Sequence, residues 1–416
     1  MNWNRHHFPL RWRPGQLARH GGVLLAWMLV RAGAQAATVI LLARVLGASS
    51  YGAFVATIAV AGFVAPLVGL GLSNIVLRNG ARDPTHLPYY FQRAARIWGM
   101  TLMPGMALVA ALVVWLLPAG LPLSAMFAAT SAEVAATTLT ELRARQRQAE
   151  HQIGGYGAIN AGLPLLRLVV LGLLVGGAGM LTLSDALWAY AFASMLYILL
   201  LMPGVRMPHT TSTAEPTEDM TLGSGLAFSL AALAMRLQGE FNKPILARLG
   251  TNLAGNYNIA QRAVDMASLP LMALQEALWP RLYAQANPLP QLRRSGLMLM
   301  ALALLLGCGL WLTAPLLRWI VGREYDEAIS VLRMLAWLPL LQVGRSLLNF
   351  HIIYCGRMAL IGWACTLGGA ASVLGVLAFV PVYGVSGAVL TSYAAEILMF
   401  VFLAYCTKKI SRPRKI

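Results

Sequence analysis

The sequence has few charged residues: Asp, Glu, Lys and Arg make up 11% of its 416 positions, whereas a soluble globular chain carries about 25%. Hydrophobic residues make up 58%, and the mean hydropathy is +0.65. This scarcity of charge, together with long apolar runs, excludes an ordinary soluble domain and indicates a polytopic membrane protein.

Acidic residues are the scarcer charged class, with 15 against 32 basic residues and a formal net charge of +17. In a soluble chain this excess would suggest a nucleic-acid partner. Here the basic residues are spread over short loops and the ends of apolar runs, and the sequence shows no nucleic-acid-binding motif. We therefore expect membrane lipids, and no nucleic acid, among the partners.

Groups for metal or covalent chemistry are also sparse. The four cysteines lack paired metal-ligand spacing, and the seven histidines lack the spacing of zinc ligands. Asp326 and Glu327 form an acidic pair in a short loop, but no other feature supports catalysis there. The sequence therefore predicts no metal, no cofactor and no enzymatic activity. A membrane enzyme such as a polysaccharide polymerase is less favoured than a protein that makes and breaks no covalent bonds.

Apolar runs of membrane-spanning length are abundant. A span needs about 20 mainly apolar residues, and the sequence predicts about twelve such helices. We expect an all-α fold in which two pseudo-symmetric six-helix halves surround a central cavity. The predicted spans are 21–46, 52–77, 94–117, 122–143, 157–178, 185–203, 223–248, 255–279, 296–320, 329–354, 358–380 and 385–406.

Charge placement predicts the orientation of these spans. If both termini lie in the cytoplasm, most basic loop residues share that side, as is usual for membrane proteins. We therefore predict a multi-pass protein of the bacterial inner (cytoplasmic) membrane with both termini cytoplasmic. The basic residues expected on the opposite side are Arg44, Arg248, Arg318 and Arg323.

A short internal repeat supports the division into halves. Leu42-Ala43-Arg44-Val45-Leu46-Gly47 ends the first span, and Leu246-Ala247-Arg248-Leu249-Gly250 ends the seventh. Copies at equivalent places indicate a parallel repeat with the substrate path between the halves, although Ala-Arg-Leu-Gly is also a common helix-exit pattern. The predicted regions are a basic cytoplasmic N-terminus (1–20), an N-terminal half (21–204), a cytoplasmic linker (205–222), a C-terminal half (223–406) and a basic cytoplasmic tail (407–416).

Four segments, in order along the chain, carry a family resemblance. They resemble the polysaccharide or O-antigen flippases, in the superfamily that also holds the multidrug and toxin extrusion transporters. The segments are Leu41-Leu42-Ala43-Arg44-Val45-Leu46-Gly47 with Tyr51-Gly52-Ala53-Phe54; Gly255-Asn256-Tyr257-Asn258-Ile259-Ala260-Gln261-Arg262 with Leu269-Pro270 and Trp279-Pro280-Arg281; Val321-Gly322-Arg323-Glu324-Tyr325 with Ala328; and Pro381-Val382-Tyr383-Gly384-Val385-Ser386-Gly387-Ala388.

The resemblance implies a function and partners. It implies flipping of polyprenyl-pyrophosphate-linked oligosaccharide from the cytoplasmic to the outer leaflet, for O-antigen or exopolysaccharide assembly. A polysaccharide polymerase and chain-length machinery would be partners. The seventh helix departs from the family pattern at Glu240-Phe241-Asn242-Lys243-Pro244, because many relatives carry Asp or Asn there without a lysine.

Basic residues inside predicted spans are the most informative feature of the chain. A cation at bilayer depth costs at least ~2.5–3.5 kcal/mol, so such residues are kept where they face a polar cavity or a partner. A cationic interior suits an anionic substrate, whereas a multidrug or cation antiporter of the same fold, the main alternative, would favour an anionic cavity. The residues are Arg31, Arg167, Arg236, Lys243, Arg262, Arg333 and Arg345.

Spacing along the helices assigns candidate roles. Arg236, Glu240 and Lys243 share one helical face, and so do Arg262 and Asp265. The alternative to a substrate site is internal pairing of Glu240 with Arg236 or Lys243, and of Asp265 with Arg262. We predict a cationic cavity for the pyrophosphate, polar side chains for the sugars, and carboxylates for coupling to protons or sodium ions. These sets are Arg31, Arg236, Lys243, Arg262 and Arg345; Gln35 and Asn349; and Glu240, Asp265 and Glu276.

Overall fold

The structure is a computed structural model that describes residues 14–179, 181–205, 221, 223–283 and 289–410. The predicted N-terminus 1–20, linker 205–222 and tail 407–416 lie mostly outside the described residues. Every regular element among the described residues is helical, which confirms the all-α prediction. The α-helices are α1 Pro14–Val64, α2 Leu72–Arg82, α3 Leu87–Leu116, α4 Leu123–Ala149, α5 Ile153–Ala178, α6 Leu183–Leu201, α7 Leu226–Glu240, α8 Asn242–Leu249, α9 Thr251–Tyr283, α10 Leu289–Thr313, α11 Leu317–Val321, α12 Asp326–Leu335, α13 Leu338–Tyr354 and α14 Ala359–Ile410.

Two of these helices are long enough to cross the membrane twice. α1 has 51 residues and α14 has 52, and a helix rises about 1.5 Å per residue against an apolar layer of about 30 Å. Each bends at a glycine with positive φ, Gly47 at 71° and Gly384 at 55°, a conformation that a side chain disfavours. The predicted boundaries between the first two and the last two spans coincide with these glycines.

Seven helical stretches among the described residues are long and apolar enough to cross a membrane. Two of them, Gly22–Leu67 and Ala359–Lys409, each overlap two predicted spans, so these stretches overlap nine of the predicted spans. The other three predicted spans correspond to α4, to α7 with α8, and to α9, which carry more polar and charged side chains. The chain is an all-α polytopic membrane protein.

The second predicted span, 52–77, is interrupted rather than continuous. A 3-10 turn at Ala65–Leu67 follows α1, and Gly69, Leu70 and Gly71 then take positive φ before α2 begins. Pro66 cannot donate a backbone hydrogen bond, which favours a break at this point. One backbone carbonyl at this break has a hydrogen-bond partner, because the Ser229 hydroxyl donates to the Pro66 carbonyl oxygen at 2.6 Å.

The first helix of the chain packs tightly on α9. A Cβ atom on Gly52 would lie 1.7 Å from the Thr251 carbonyl oxygen, and one on Gly255 would lie 2.5 Å from the Ala48 oxygen. Only glycine allows the two backbones to approach this closely. This contact joins residues 48–52 of α1 to the start of α9, where the eighth predicted span begins.

Candidate functional site

A cavity of about 760 Å³ lies between α1–α6 on one side and α7–α9 on the other. Its walls carry six basic and four acidic side chains, so the lining has more positive than negative charge. Charges at this depth are costly unless they face water or a partner. The ionisable lining residues are Arg31, Arg145, Arg167, Arg236, Lys243, Arg262, Glu133, Glu141, Glu240 and Asp265, with Tyr51, Tyr156 and Tyr190 beside them.

The described side chains that line the cavity are exposed at one end of it and buried at the other. Arg31, Gln35 and Arg236 are exposed to it, whereas Leu42 and Tyr51, at the other end, are each 1% exposed. We call that end, formed by residues 43–52, 248–258 and 317–328, the closed face.

Most of the predicted site residues line this cavity. Seven of them do so: Arg31, Gln35, Arg236, Glu240, Lys243, Arg262 and Asp265.

Three predicted site residues lie elsewhere, namely Arg345, Asn349 and Glu276. The Arg345 Nε atom lies 2.8 Å from a carboxylate oxygen of Glu396, so this guanidinium pairs α13 with α14. The Gln238 amide donates to the other Glu396 oxygen at 3.1 Å. Spacing along one helix cannot show that α13 turns this face toward α14 rather than the cavity.

A four-residue charge cluster occupies the wall formed by α7, α8 and α9. The Lys243 ammonium lies 2.5 Å from Glu240 Oε2, and a guanidinium nitrogen of Arg262 lies 3.9 Å from Glu240 Oε1. Arg262 also lies 4.0 Å from Asp265. Both internal pairs that the spacing allows are therefore present, with Lys243 rather than Arg236 as the close partner of Glu240.

Arg31 and Arg236 differ from that cluster. Among the described residues, neither guanidinium has a carboxylate oxygen within 4 Å. They come from α1 and α7, on different walls, and their charges repel one another. Two guanidinium groups without a carboxylate partner among the described residues therefore face one cavity.

Arg167 is fully engaged on the wall of the first helices. One of its terminal nitrogens lies 2.5 Å from Glu133 Oε2, and its guanidinium donates to the Ser194 hydroxyl at 2.8 and 3.0 Å. Tyr190 donates to the same carboxylate at 2.8 Å, and its ring lies 4.1 Å from the Arg167 guanidinium. This network satisfies both charges, so Arg167 and Glu133 hold α4, α5 and α6 together.

Several residues that line the cavity were not predicted from the sequence as part of the site. Tyr156 and Asn160 line the cavity from α5; they and Arg167 follow at intervals of four and seven residues, a polar face of the kind recognised on other helices. Arg145 lay beyond the predicted end of its span at 143, but α4 continues to Ala149, because its last turns are rich in good helix formers. Asn258 lines the buried end and donates to the Tyr51 hydroxyl at 2.7 Å.

Several solved structures with a similar fold are membrane transporters. An inward-facing multidrug resistance MATE family transporter of the MOP superfamily aligns over 95% of this chain and 99% of its own, at 15% identity and a TM-score of 0.68. The lipid II flippase MurJ, in an inward closed conformation, aligns over 92% and 87%, at 11% identity and a TM-score of 0.71. The chain has the fold of these transporters.

A third similar structure is a MOP superfamily transporter from Pyrococcus furiosus, described as having a binding pocket of reverse polarity that suggests a different function. It aligns over 95% of this chain and 96% of its own, at 13% identity and a TM-score of 0.63. No protein-family model matches the chain, and no curated protein sequence matches it. The likeness to solved structures establishes the fold of the MOP superfamily transporters.

Proposed function

We propose that the protein is a flippase that moves polyprenyl-pyrophosphate-linked oligosaccharide from the cytoplasmic to the outer leaflet by alternating access. The observation that carries the proposal is that Arg31 and Arg236 face one cavity and that neither guanidinium has a carboxylate oxygen within 4 Å in the described part of the chain. Transport of this kind makes and breaks no covalent bond. Its product would serve O-antigen or exopolysaccharide assembly.

The balance of charge in the cavity supports an anionic substrate. Glu133 is paired with Arg167, and Glu240 is paired with Lys243, so these four charges cancel locally. Arg31 and Arg236 have no such carboxylate partner among the residues that the structure describes. A pyrophosphate would supply the missing negative charge, and arginine suits it because its planar fork makes bidentate bonds to phosphate oxygens.

Polar side chains near the two arginines suit the sugar part. Gln35 lies one helical turn from Arg31, and Tyr156 and Asn160 face the same cavity from α5. Amide and phenol groups both donate and accept hydrogen bonds, as sugar hydroxyls require.

Asp265 is the best placed of the three carboxylates predicted to couple transport to ion movement. It lines the cavity, its side chain is 54% exposed, and its nearest cation is Arg262 at 4.0 Å. Glu240 is held by Lys243, and Glu276 lies outside the lining. We propose that Asp265 takes up the coupling proton or sodium ion.

The proposal places the protein in the bacterial inner membrane with both termini cytoplasmic. The cavity would then open to the cytoplasm, the side from which a lipid-linked oligosaccharide is loaded. A polymerase and chain-length machinery would receive the substrate on the outer side.

A multidrug or cation antiporter is the second candidate. It is favoured by two exposed carboxylates in the cavity, Glu141 and Asp265, and by the MATE family transporters among the structural neighbours. A cationic drug would bind beside these carboxylates and would be repelled by Arg31 and Arg236.

The test compares the leaflet distribution of lipid-linked oligosaccharide in cells that lack the gene and in cells complemented with variants. Arg31→Ala and Arg236→Ala are expected to leave finished repeat units on the cytoplasmic side. Arg333→Ala is the matched control, because this intramembrane arginine stacks on Trp311 at 5.0 Å outside the cavity. Normal delivery in the gene-deleted cells, with new sensitivity to cationic drugs, would overturn the flippase proposal in favour of the antiporter.

A further inference from the structure

Two arginines on the closed face reach across the bundle in opposite directions. The Arg44 guanidinium, near the bend of α1, donates to the carbonyl oxygens of Ile320 at 2.6 Å and Trp319 at 2.7 Å, in α11. The Arg248 guanidinium, at the end of α8, donates to the carbonyl oxygen of Trp115 at 2.6 Å, in the last turn of α3. Both arginines lie at the ends of predicted spans, where a basic side chain can simply extend toward the membrane surface.

The acceptors explain why arginine is used. The last carbonyl groups of a helix have no partner within the helix and carry partial negative charge. A guanidinium donates in a fork to neighbouring carbonyls and stays charged at any physiological pH. Each arginine therefore satisfies the end of a helix that belongs to the other part of the chain.

The two contacts are reciprocal. Arg44 and Arg248 occupy the same place in the internal repeat, each preceded by Leu-Ala. Arg44 ends the first predicted span and binds the end of the ninth, whereas Arg248 ends the seventh and binds the end of the third. In a six-plus-six arrangement, each arginine thus binds the third span of the opposite half.

Other contacts meet at the same face. The Ser49 and Thr251 hydroxyls lie 2.7 Å apart, and Tyr325 donates to the Ala43 carbonyl at 3.0 Å. Glu324 accepts a hydrogen bond from the backbone N–H of Ala48 at 3.1 Å, which begins the helix after the Gly47 bend. All of them join residues 43–52 to the later part of the chain, so opening this face would break them together.

We propose that Arg44 and Arg248 form a reciprocal clasp that holds the closed face shut while the cavity is open at the other end. Releasing the clasp frees both arginines and both helix ends to water, so opening costs hydrogen bonds but leaves no buried charge. The clasp therefore determines, in the absence of substrate, the fraction of molecules whose cavity is open on the side where substrate is loaded. This inference rests on the alternating-access part of the proposed function and is independent of the substrate.

The test measures closure of this face directly. In a variant whose four cysteines are replaced by alanine, Ser49→Cys and Thr251→Cys place two thiols where the hydroxyls now touch. The rate of disulfide formation in purified protein in nanodiscs, without substrate, reports the fraction with the face closed. A second reporter, Gln35→Cys in the same background, reports access to the cavity by a maleimide.

Arg44→Ala and Arg248→Ala are each expected to lower the ratio of closed to open molecules about tenfold, since a hydrogen bond from a charged donor is worth more than the 1.4 kcal/mol of a tenfold change. Disulfide formation should slow in proportion to the resulting fall in the closed fraction. Labelling of Gln35→Cys should fall in parallel, because the cavity closes at its mouth as the far face opens. Arg44→Lys, which keeps the charge but not the fork, should lie in between. Arg318→Ala is the matched control, because this arginine lies 3.6 Å from Asp326 in its own segment.

Unchanged disulfide formation in both alanine variants would overturn the clasp. Slower disulfide formation with unchanged Gln35→Cys labelling would also overturn it, since that result describes local loosening rather than a conformational shift. Because the assay contains no lipid-linked sugar, a protein that fails to flip oligosaccharide can still pass it. The clasp and the flippase proposal therefore fail separately.

Discussion

The Lys243 ammonium and the Glu240 carboxylate lie 2.5 Å apart, one helical turn from each other, with the lysine side chain 1% exposed. A buried charge is tolerated because its partner neutralises it. The basic lining of the cavity therefore has a compensated part around Lys243 and, among the described residues, an uncompensated part at Arg31 and Arg236. Stability and substrate binding are therefore expected to depend on different basic residues.

Lys243→Met should destabilise the protein strongly, because it removes the close partner of the buried Glu240 and leaves only Arg262, at 3.9 Å. Removing one member of a buried pair costs about 3–5 kcal/mol. Lys243→Met combined with Glu240→Leu should recover most of the loss, since a well-packed apolar pair often replaces a buried ion pair at no cost. Thermal unfolding in detergent measures the difference, and a double variant no more stable than the single one would contradict the compensated pair.

Gly52→Ala should prevent α1 from packing on α9, because its Cβ would lie 1.7 Å from the Thr251 oxygen. We expect a low yield of folded protein, or a folded protein in which the Ser49–Thr251 pair no longer cross-links as cysteines. Gly309→Ala is the control, because nothing lies within 4 Å of its new Cβ and alanine stabilises a helix by about 0.5–1 kcal/mol relative to glycine. Normal folding and cross-linking of Gly52→Ala would contradict the close contact.

Arg345→Ala should lower stability and leave substrate binding unchanged, because Arg345 lies 2.8 Å from Glu396 and outside the cavity lining. The thermal midpoint and the substrate Kd, measured on the same preparation, separate the two effects. Glu396→Gln should resemble it in stability, since it removes the other charge. Weaker substrate binding at normal stability would return Arg345 to the cationic site where the sequence placed it.

The sequence predicted the spans better than it predicted what their polar faces touch. Apolar runs are local properties, so the all-α fold and the breaks near Gly47 and Gly384 could be read directly. The interruption of the second predicted span at residues 65–71 was not predicted, because the apolar run continues through it. Its cause is a proline and two glycines, together with a tertiary contact from Ser229.

For the candidate site too, the sequence predicted which residues share a helical face better than it predicted which residues they contact. Periodicity placed Arg236, Glu240 and Lys243 on one face, and all three line the cavity. It could not choose between Arg236 and Lys243 as the partner of Glu240, because both spacings are allowed within one helix. Glu396 was missed entirely, although a lone carboxylate in an otherwise apolar last span is itself a signal that a basic partner lies opposite.

The central claim is that Arg31 and Arg236 bind the anionic part of a lipid-linked substrate. The most direct measurement is the Kd of polyprenyl pyrophosphate, without sugar, for the purified protein in nanodiscs. Arg31→Ala and Arg236→Ala should each weaken binding about 10- to 100-fold, since a bond to a charged group is worth about 1.5–3 kcal/mol, whereas Arg333→Ala should bind normally. Equal affinity for polyprenyl pyrophosphate in the wild type and the three variants would contradict the claim. So would a wild type that binds an organic cation, such as tetraphenylphosphonium, more tightly than it binds polyprenyl pyrophosphate.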